Sequence, residues 1–445
     1  MSRGTPPTID DFQVAFRTNE VGQELHQLIS ELYPLCRSIT GHGFRETLTI
    51  IQRSIPLRIH EVPTGTRAFD WTVPKEWNIR DAYIANARGE RIVDFKRSNL
   101  HVVGYSVPVR RIIALAELRQ HLFTLPEHPD RIPWRTSYYK EGWGFCLSHK
   151  QLLALRDDEY EVCIDASLED GHLTYGEYFL EGEQADEVLI SCHACHPSLG
   201  NDNLSGVSLV TILAKYLTAL SLRYSYRFLF IPVTIGSITW LSLNERRVPH
   251  IKHGLAVACV GDPGKSTYKK SRRSNAEIDK AIDHVLRHSS ADYEIMEFSP
   301  YGYDERQFCS PGFDVPMGCL MRTPYGRFPE YHTSADNLDF VQPPYLADSF
   351  AKVWSTLYVL ENNRSYVNQN PKCEPQLGRR GLYRAIGGQA HVEVNELAML
   401  WVLNLSDGNH SLLDIASKSG LAFSLINNAA HLLSEHGLLK EDLEL

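Results

Sequence analysis

Residues 189–206 read Leu-Ile-Ser-Cys-His-Ala-Cys-His-Pro-Ser-Leu-Gly-Asn-Asp-Asn-Leu-Ser-Gly, and this stretch restricts the fold more than any other. Residues 187–191 are a short, nearly continuous apolar run, the pattern of a strand covered on both faces. The run ends in two imidazoles, His193 and His196; Asp202 follows, and an apolar helix is expected from about Val207. A strand end and a helix start are rigid, so a loop between them that carries imidazole and carboxylate is a ready place for metal ligands. Zinc accepts both donor types.

Two other readings compete. Cys192-His193-Ala194-Cys195-His196 fits the C-x-x-C-H pattern of covalent haem attachment. Five residues match such a pattern easily by chance, and residues 1–19 lack the basic and apolar blocks of an export signal. The second is a pair of hydrogen-bonded core histidines. Further donors along the chain favour the metal.

The chain has 445 residues, enough for two to three domains with substantial cores. Its 43% hydrophobic and 22% charged residues are those of an ordinary globular protein, and a net charge of −9 argues against a nucleic-acid or anionic-membrane binder. The most apolar run, 228–243, is too short to span a bilayer and is interrupted by Pro232 and Gly236. Nine cysteines in such a chain imply reduced thiols and a cytoplasmic setting. No nucleic acid and no membrane are expected as partners, and a homo-oligomer is open.

Helices are expected over 21–36 and 44–54. From 61 to 170 aromatics and prolines become dense and short alternating runs such as 100–107 read as strands, so a β-rich module is placed there, between a first core segment, 1–60, and a second, 171–370. In that second segment apolar strands over 188–191, 226–232, 254–260 and 315–320 alternate with helices over 207–220, 275–288 and 344–362. This predicts an α/β fold with helices on both faces of a mixed sheet. Pro371 and Pro375 bracket a linker, and 376–445 has helix-turn-helix spacing, with helices over 394–403, 411–417 and 422–435 and a wing from His436. That unit holds five Lys/Arg against eight Asp/Glu, and 422–435 has no Lys or Arg, so it reads as a packing or oligomerisation module, not a DNA reader.

Further candidate ligands stand at later element ends: Asp262 just past an apolar strand, and His332 in a loop before the closing helix. In open α/β sheets the ligand crevice lies beyond the carboxyl ends of the strands, so His196, Asp202, Asp262 and His332 are expected to converge there.

The order strand–His, Gly-x-Asp-Asn-x-Ser-Gly, strand–Asp, Tyr-His-Thr-x-x-Asp resembles the zinc aminopeptidases of the M28 type. Cys195-His196-Pro197-Ser198, Asn201-Asp202-Asn203-Leu204-Ser205-Gly206, Thr234-Ile235-Gly236-Ser237 and 329–336 resemble, more closely, the bacterial DUF4910 aminopeptidase-like proteins. Residues 71–74 and 99–103 look like their inserted DUF2172 module, and 392–445 like their C-terminal winged helix. The resemblance implies a zinc-exopeptidase-like core, one or two zinc ions, and a small peptide or aminoacyl substrate. It implies that His196 binds one zinc, with His193 as the alternative; that Asp202 bridges two ions or binds one; that Asp262 and His332 complete the set; and that Asp336 orients His332.

M28 peptidases carry Glu-Glu just before their Gly-Ser, the first as general base and the second as ligand. Residues 228–235 hold no carboxylate here. Hydrolysis still needs a proton acceptor near the metal. Glu305 is the first replacement and Glu330 the second, with an ion pair to Arg306 as the alternative role for Glu305. Arg306, Arg322 and Tyr325 are candidates for substrate binding, together with Arg272 and Arg273, since a planar guanidinium suits a carboxylate. Three functions stand at this point. One is a zinc-dependent aminopeptidase-like amidohydrolase. The second is a metal-dependent acyl transfer or cyclisation, as in the M28-like glutaminyl cyclases. The third is a non-catalytic binding protein.

Overall fold

The computed structural model describes residues 18–289, 291–382 and 390–442. The chain forms two compact units. One runs through Ala276 and resumes at Asp292–Ala351; the other combines Glu277–Ala291 with the chain from Lys352 onward.

The first unit is built on a mixed eight-stranded sheet in the order Arg58–Pro63, His172–Leu180, Ser225–Ile231, Glu187–His193, Ile251–Val257, Met317–Met321, Ser266–Lys269, Tyr293–Met296. Its centre is parallel: Glu187–His193 pairs in parallel with both Ser225–Ile231 and Ile251–Val257. Every residue of Glu187–His193 and Ser225–Ile231 is buried, which is why both read as continuous apolar runs. The charges they carry are matched: Arg227 sits between Glu187, at 2.7 Å, and Glu177. Helix Gly206–Leu217 is buried along most of its length, and helix Ile235–Asn244 follows the next strand.

The β-rich module enters and leaves through one hairpin of this sheet. Pro63 and His172 are cross-strand neighbours, so the insertion closes on adjacent ends and the sheet is undisturbed. Inside it, Arg91–Asp94, Glu76–Ala85, Glu159–Glu169 and Val109–Ala114 form an antiparallel sheet in that order. The strand expected over 100–107 does not form. A short helical turn, Asn99–His101, and isolated bridges at Val102 and Gly104 stand there instead. Its alternating apolar residues, Leu100, Val102, Val103 and Tyr105, are all buried by an irregular segment.

In the second unit, helices Ala390–Leu405, Leu412–Ser419 and Phe423–Glu435 accompany a three-stranded sheet of Asp407–Ser411, Ser365–Asn368 and Leu439–Glu441. This is the expected winged helix. Ser411 caps the middle helix reciprocally with Asp414, and Gly420 ends it at φ 72°. Two assignments shift. The strand Ser365–Asn368 precedes the boundary expected at 376. Helix Glu277–Arg287, expected within the core, belongs to this unit, where His284 Nε2 accepts the Phe423 N–H at 3.0 Å. Among the described residues no helix is long and apolar enough to cross a membrane.

Candidate metal centre

The Gly-Asn-Asp-Asn-Leu-Ser-Gly loop is locked by its own polar side chains. Asn203 Nδ2 donates to Val257 O at 3.0 Å, and its Oδ1 accepts the N–H groups of Gly206 and Cys259. Asn201 Oδ1 accepts from Gly261 N at 2.9 Å, and Ser205 Oγ from Val260 N at 3.0 Å. The loop is therefore stitched to the end of strand Ile251–Val257. Asp336 grips its other side, accepting the backbone N–H groups of Asn201 and Asp202 at 2.5 and 2.9 Å. Asp336 thus holds the loop and not His332, the role expected for it; burial pushes its carboxyl up while the two amides pull it back.

What the loop presents is Asp202, with 0% of its surface exposed. Asp202 Oδ1 lies 2.8 Å from His193 Nε2, and Oδ2 lies 2.8 Å from His332 Nε2. The His196 ring stands 5.1 Å from that of His193 and 5.3 Å from that of His332. Donor atoms of His193, His196 and Asp202 fall within 4.8 Å of one another. Three imidazoles therefore surround one carboxylate. Burial pushes His196 down to about 3, so its ring is neutral near pH 7. Burial alone would raise Asp202, but the His196, His193 and His332 rings outweigh it and hold the carboxyl well below its usual range. A neutral His196 beside an ionised carboxylate is the pairing a metal needs, and the N/O donor set suits zinc.

Aromatic side chains that the sequence reading missed pack around the cluster. The Trp134 ring meets His196 and His332 edge-on, with centroids at 4.5 Å in both cases. Tyr331 stacks on His332 at 3.8 Å and Tyr303 on His193 at 4.9 Å. Trp134 comes from the inserted module, whose backbone also bonds the His332 loop: Trp134 N donates to His332 O at 2.7 Å, and Ser334 N to Ile132 O at 2.8 Å. Aromatic density between 61 and 170 was the available signal, but it did not identify the residue. Below the cluster the buried Arg37 donates from Nε to His196 O at 2.9 Å.

Several expected site residues stand elsewhere. Asp262 is not in the cluster: Asn201 Nδ2, Gly264 N, Thr323 N and Thr323 Oγ1 all donate to its carboxylate, which leaves it a loop fastener. Glu305 is fully buried and paired at 2.7 Å with the equally buried Lys269, not with Arg306. Glu330 turns to Arg131 at 3.4 Å. Arg322 pairs with Asp348 and lies over the Tyr345 ring, while Arg272 and Arg273 pair with Asp314. Beside Glu305, the carboxyl that sequence reasoning passed over is Asp304. Its Oδ1 accepts Ser237 Oγ at 2.8 Å, and burial pushes it up to about 7 against the opposing pull of His193. Cys192 and Cys195 are buried, and burial pushes both thiols up, so neither is presented for haem attachment.

A cleft of 340 Å³ opens onto His196 and His332. Of the candidate substrate binders it is lined by Arg306 and Tyr325, along with Trp71, Trp134, Tyr138, Tyr139, Tyr301, Tyr303 and Tyr331.

Comparison with known proteins agrees with this architecture. Residues 26–363 match the family described as a domain of unknown function, DUF4910, and 364–441 match a winged helix-turn-helix family. A Clostridium acetobutylicum protein, named for polysaccharide biosynthesis and an aminopeptidase-like domain, is 56% identical over 423 residues, 95% of this chain and 97% of that one. A crystal structure from the same organism, named as a peptidase, superposes at a TM-score of 0.93 with 53% identity, over 98% of this chain and 99% of that one. A zinc aminopeptidase from Bacillus subtilis shares the fold at 12% identity and a TM-score of 0.57, over 78% and 95% of the two chains.

Proposed function

Since this chain belongs to the DUF4910 family and carries an aminopeptidase-like fold, we propose that it is a zinc-dependent hydrolase of an amide bond in a small peptide or aminoacyl compound. The observation behind this reading is the buried Asp202 carboxylate with His193 and His332 at 2.8 Å on its two oxygens, and His196 beside them on the cleft wall. One ion is favoured over two, because Asp262, the carboxylate expected to serve a second, is occupied by four donors. Bound there, zinc supplies Lewis acidity toward a carbonyl and lowers the pKa of water.

The chain's own residues do the rest. Trp134 and Tyr331 hold the imidazoles in place. Asp304, next in the chain to the cleft residue Tyr303 but not itself on the cleft wall, is the carboxyl assigned to proton transfer, because Glu305 and Glu330 are bound to Lys269 and Arg131. Its pKa near 7 suits a group that must both accept and return a proton. Elemental analysis of protein purified without chelator should give one zinc per chain, and incubation with dipeptides should release free amino acid. Absence of stoichiometric zinc would sink the reading; a cyclised product in place of free amino acid would turn it to the acyl-transfer alternative. A second reading rests on the Clostridium relative's name together with the aromatic cleft walls, which suit a sugar ring: the amide would then be carried on a carbohydrate. Release of acetate from N-acetylhexosamines distinguishes it.

A further inference from the structure

An enzyme that binds a free amino terminus must match an ammonium group, and a carboxylate is the ordinary match. Among the described residues no carboxylate lines this cleft. Those nearby are engaged: Asp202 by imidazoles, Asp304 by Ser237, Glu305 by Lys269 and Glu330 by Arg131. The cleft has the opposite charge. Arg306 is the sole Lys or Arg among its described lining residues, and Arg306 Nε is buried without a hydrogen-bond partner. Leaving a buried donor unpaired is costly, the more so when it is charged, so a guanidinium in this state is short of an acceptor. Flat faces stand about it: Trp71 against Tyr139 at 5.4 Å and Tyr301 against Tyr325 at 5.5 Å.

We propose that Arg306 anchors a carboxylate of the substrate, so that the enzyme recognises a carboxylate-bearing amide by its acid end and by a planar or ring group between the aromatic walls, and not by a free amine. The inference rests on the amide-hydrolase reading for its reaction, but the anchor itself needs no metal. The guanidinium fork fits a planar carboxylate in two parallel bonds, which an ammonium cannot imitate. His196 and His332 border the same cleft, so an anchored substrate lies next to the imidazole cluster.

The test is binding to zinc-free protein, read by calorimetry and by quenching of tryptophan emission, since Trp71 and Trp134 line the cleft. Three probes separate the possibilities: benzoylglycine, its carboxamide, and phenylalaninamide, which has a free amine and no acid. Benzoylglycine is expected to bind at least about tenfold more tightly than either amide, a difference of about 1.4 kcal/mol. R306Q should abolish that preference, and R306K should restore part of it, charge without the fork. Thermal unfolding of both variants reports whether the cleft is intact. Equal binding of the three probes, no binding of benzoylglycine, or a preference that survives in R306Q would overturn the anchor. Repeating the series with zinc identifies a carboxylate that goes to the metal, because that preference would appear only in the loaded protein and would persist in R306Q; this too counts against Arg306. Failure of zinc binding or turnover, with the zinc-free preference intact, would instead defeat the hydrolase reading alone.

Discussion

Asp202 has no solvent exposure; its carboxylate meets the His193 and His332 imidazoles, and its backbone N–H donates to the Asp336 carboxylate. Its removal should therefore be the worst single change at the site. His196→Ala and His332→Ala each delete one neutral nitrogen donor and should lower zinc affinity at least about 100-fold, beyond the 10–100-fold typical of losing an outer partner. Asp202→Ala should leave no measurable zinc. Elemental analysis of the three purified variants checks this, and wild-type metal content in all of them would show the cluster to be a hydrogen-bonded core. Asp304 and Glu305 are neighbours with opposite expected outcomes. Asp304→Asn should retain zinc and lose about 10²–10⁴-fold in turnover. Glu305→Gln should leave the buried Lys269 without its anionic partner, and cost roughly 3–5 kcal/mol of stability in urea unfolding. Glu305→Gln with Lys269→Met should recover much of that loss, since removing both ends of a buried pair is tolerated better than removing one.

The strand–loop–helix element from Glu187 to Leu217 sets the position of three of the four clustered residues. Its tightest point is Gly206, where a β-carbon would meet Val257 O at 2.4 Å and the Asn203 side chain at 2.5 Å. Gly206→Ala should push the helix start away from the sheet. The expected loss is about 1–3 kcal/mol in denaturant unfolding, with weaker zinc binding because Asp202 moves with the loop. Unchanged zinc affinity in a destabilised variant would mean that Asp336 alone fixes the loop. This element was legible beforehand because its signals are local: an apolar run, a glycine pair around polar residues, then a second apolar run. The segment 100–107 misled because buried irregular chain carries the same alternation as a strand.

Across the molecule, the second unit carries its own pH response. His284 is pushed down to about 4, mainly by burial and then by His288, with Arg287 adding to the effect and Asp283 opposing it. Its Nε2 accepts the Phe423 N–H, which only the neutral ring can do. The unfolded chain binds the proton at the ordinary pKa of about 6.5 while the folded unit refuses it until about 4. The unit's stability is therefore full above about pH 6.5 and falls as pH drops through the window between those values. Urea unfolding of the intact protein, followed with a probe placed in the winged helix, should show that slope. His284→Gln should flatten it, and a slope unaffected by that change would assign it to another group.

Sequence alone determined the α/β core, the inserted β-rich module, the winged helix and the two segments that carry His193, His196, Asp202 and His332, because periodicity and short motifs are properties of adjacent residues. It could not assign partners to carboxylates. Asp262, Glu305 and Glu330 each stood in plausible loops, yet Thr323, Lys269 and Arg131 claim them through contacts distant in the chain. Trp134 shows the same limit: it lies far from His332 in sequence, and only pairing of the inserted module with the 332–334 loop brings it onto the imidazoles. A charged side chain acts by what remains unpaired once the chain has closed around it. That remainder, Asp202 among imidazoles and Arg306 with a bare Nε, was decided by tertiary structure.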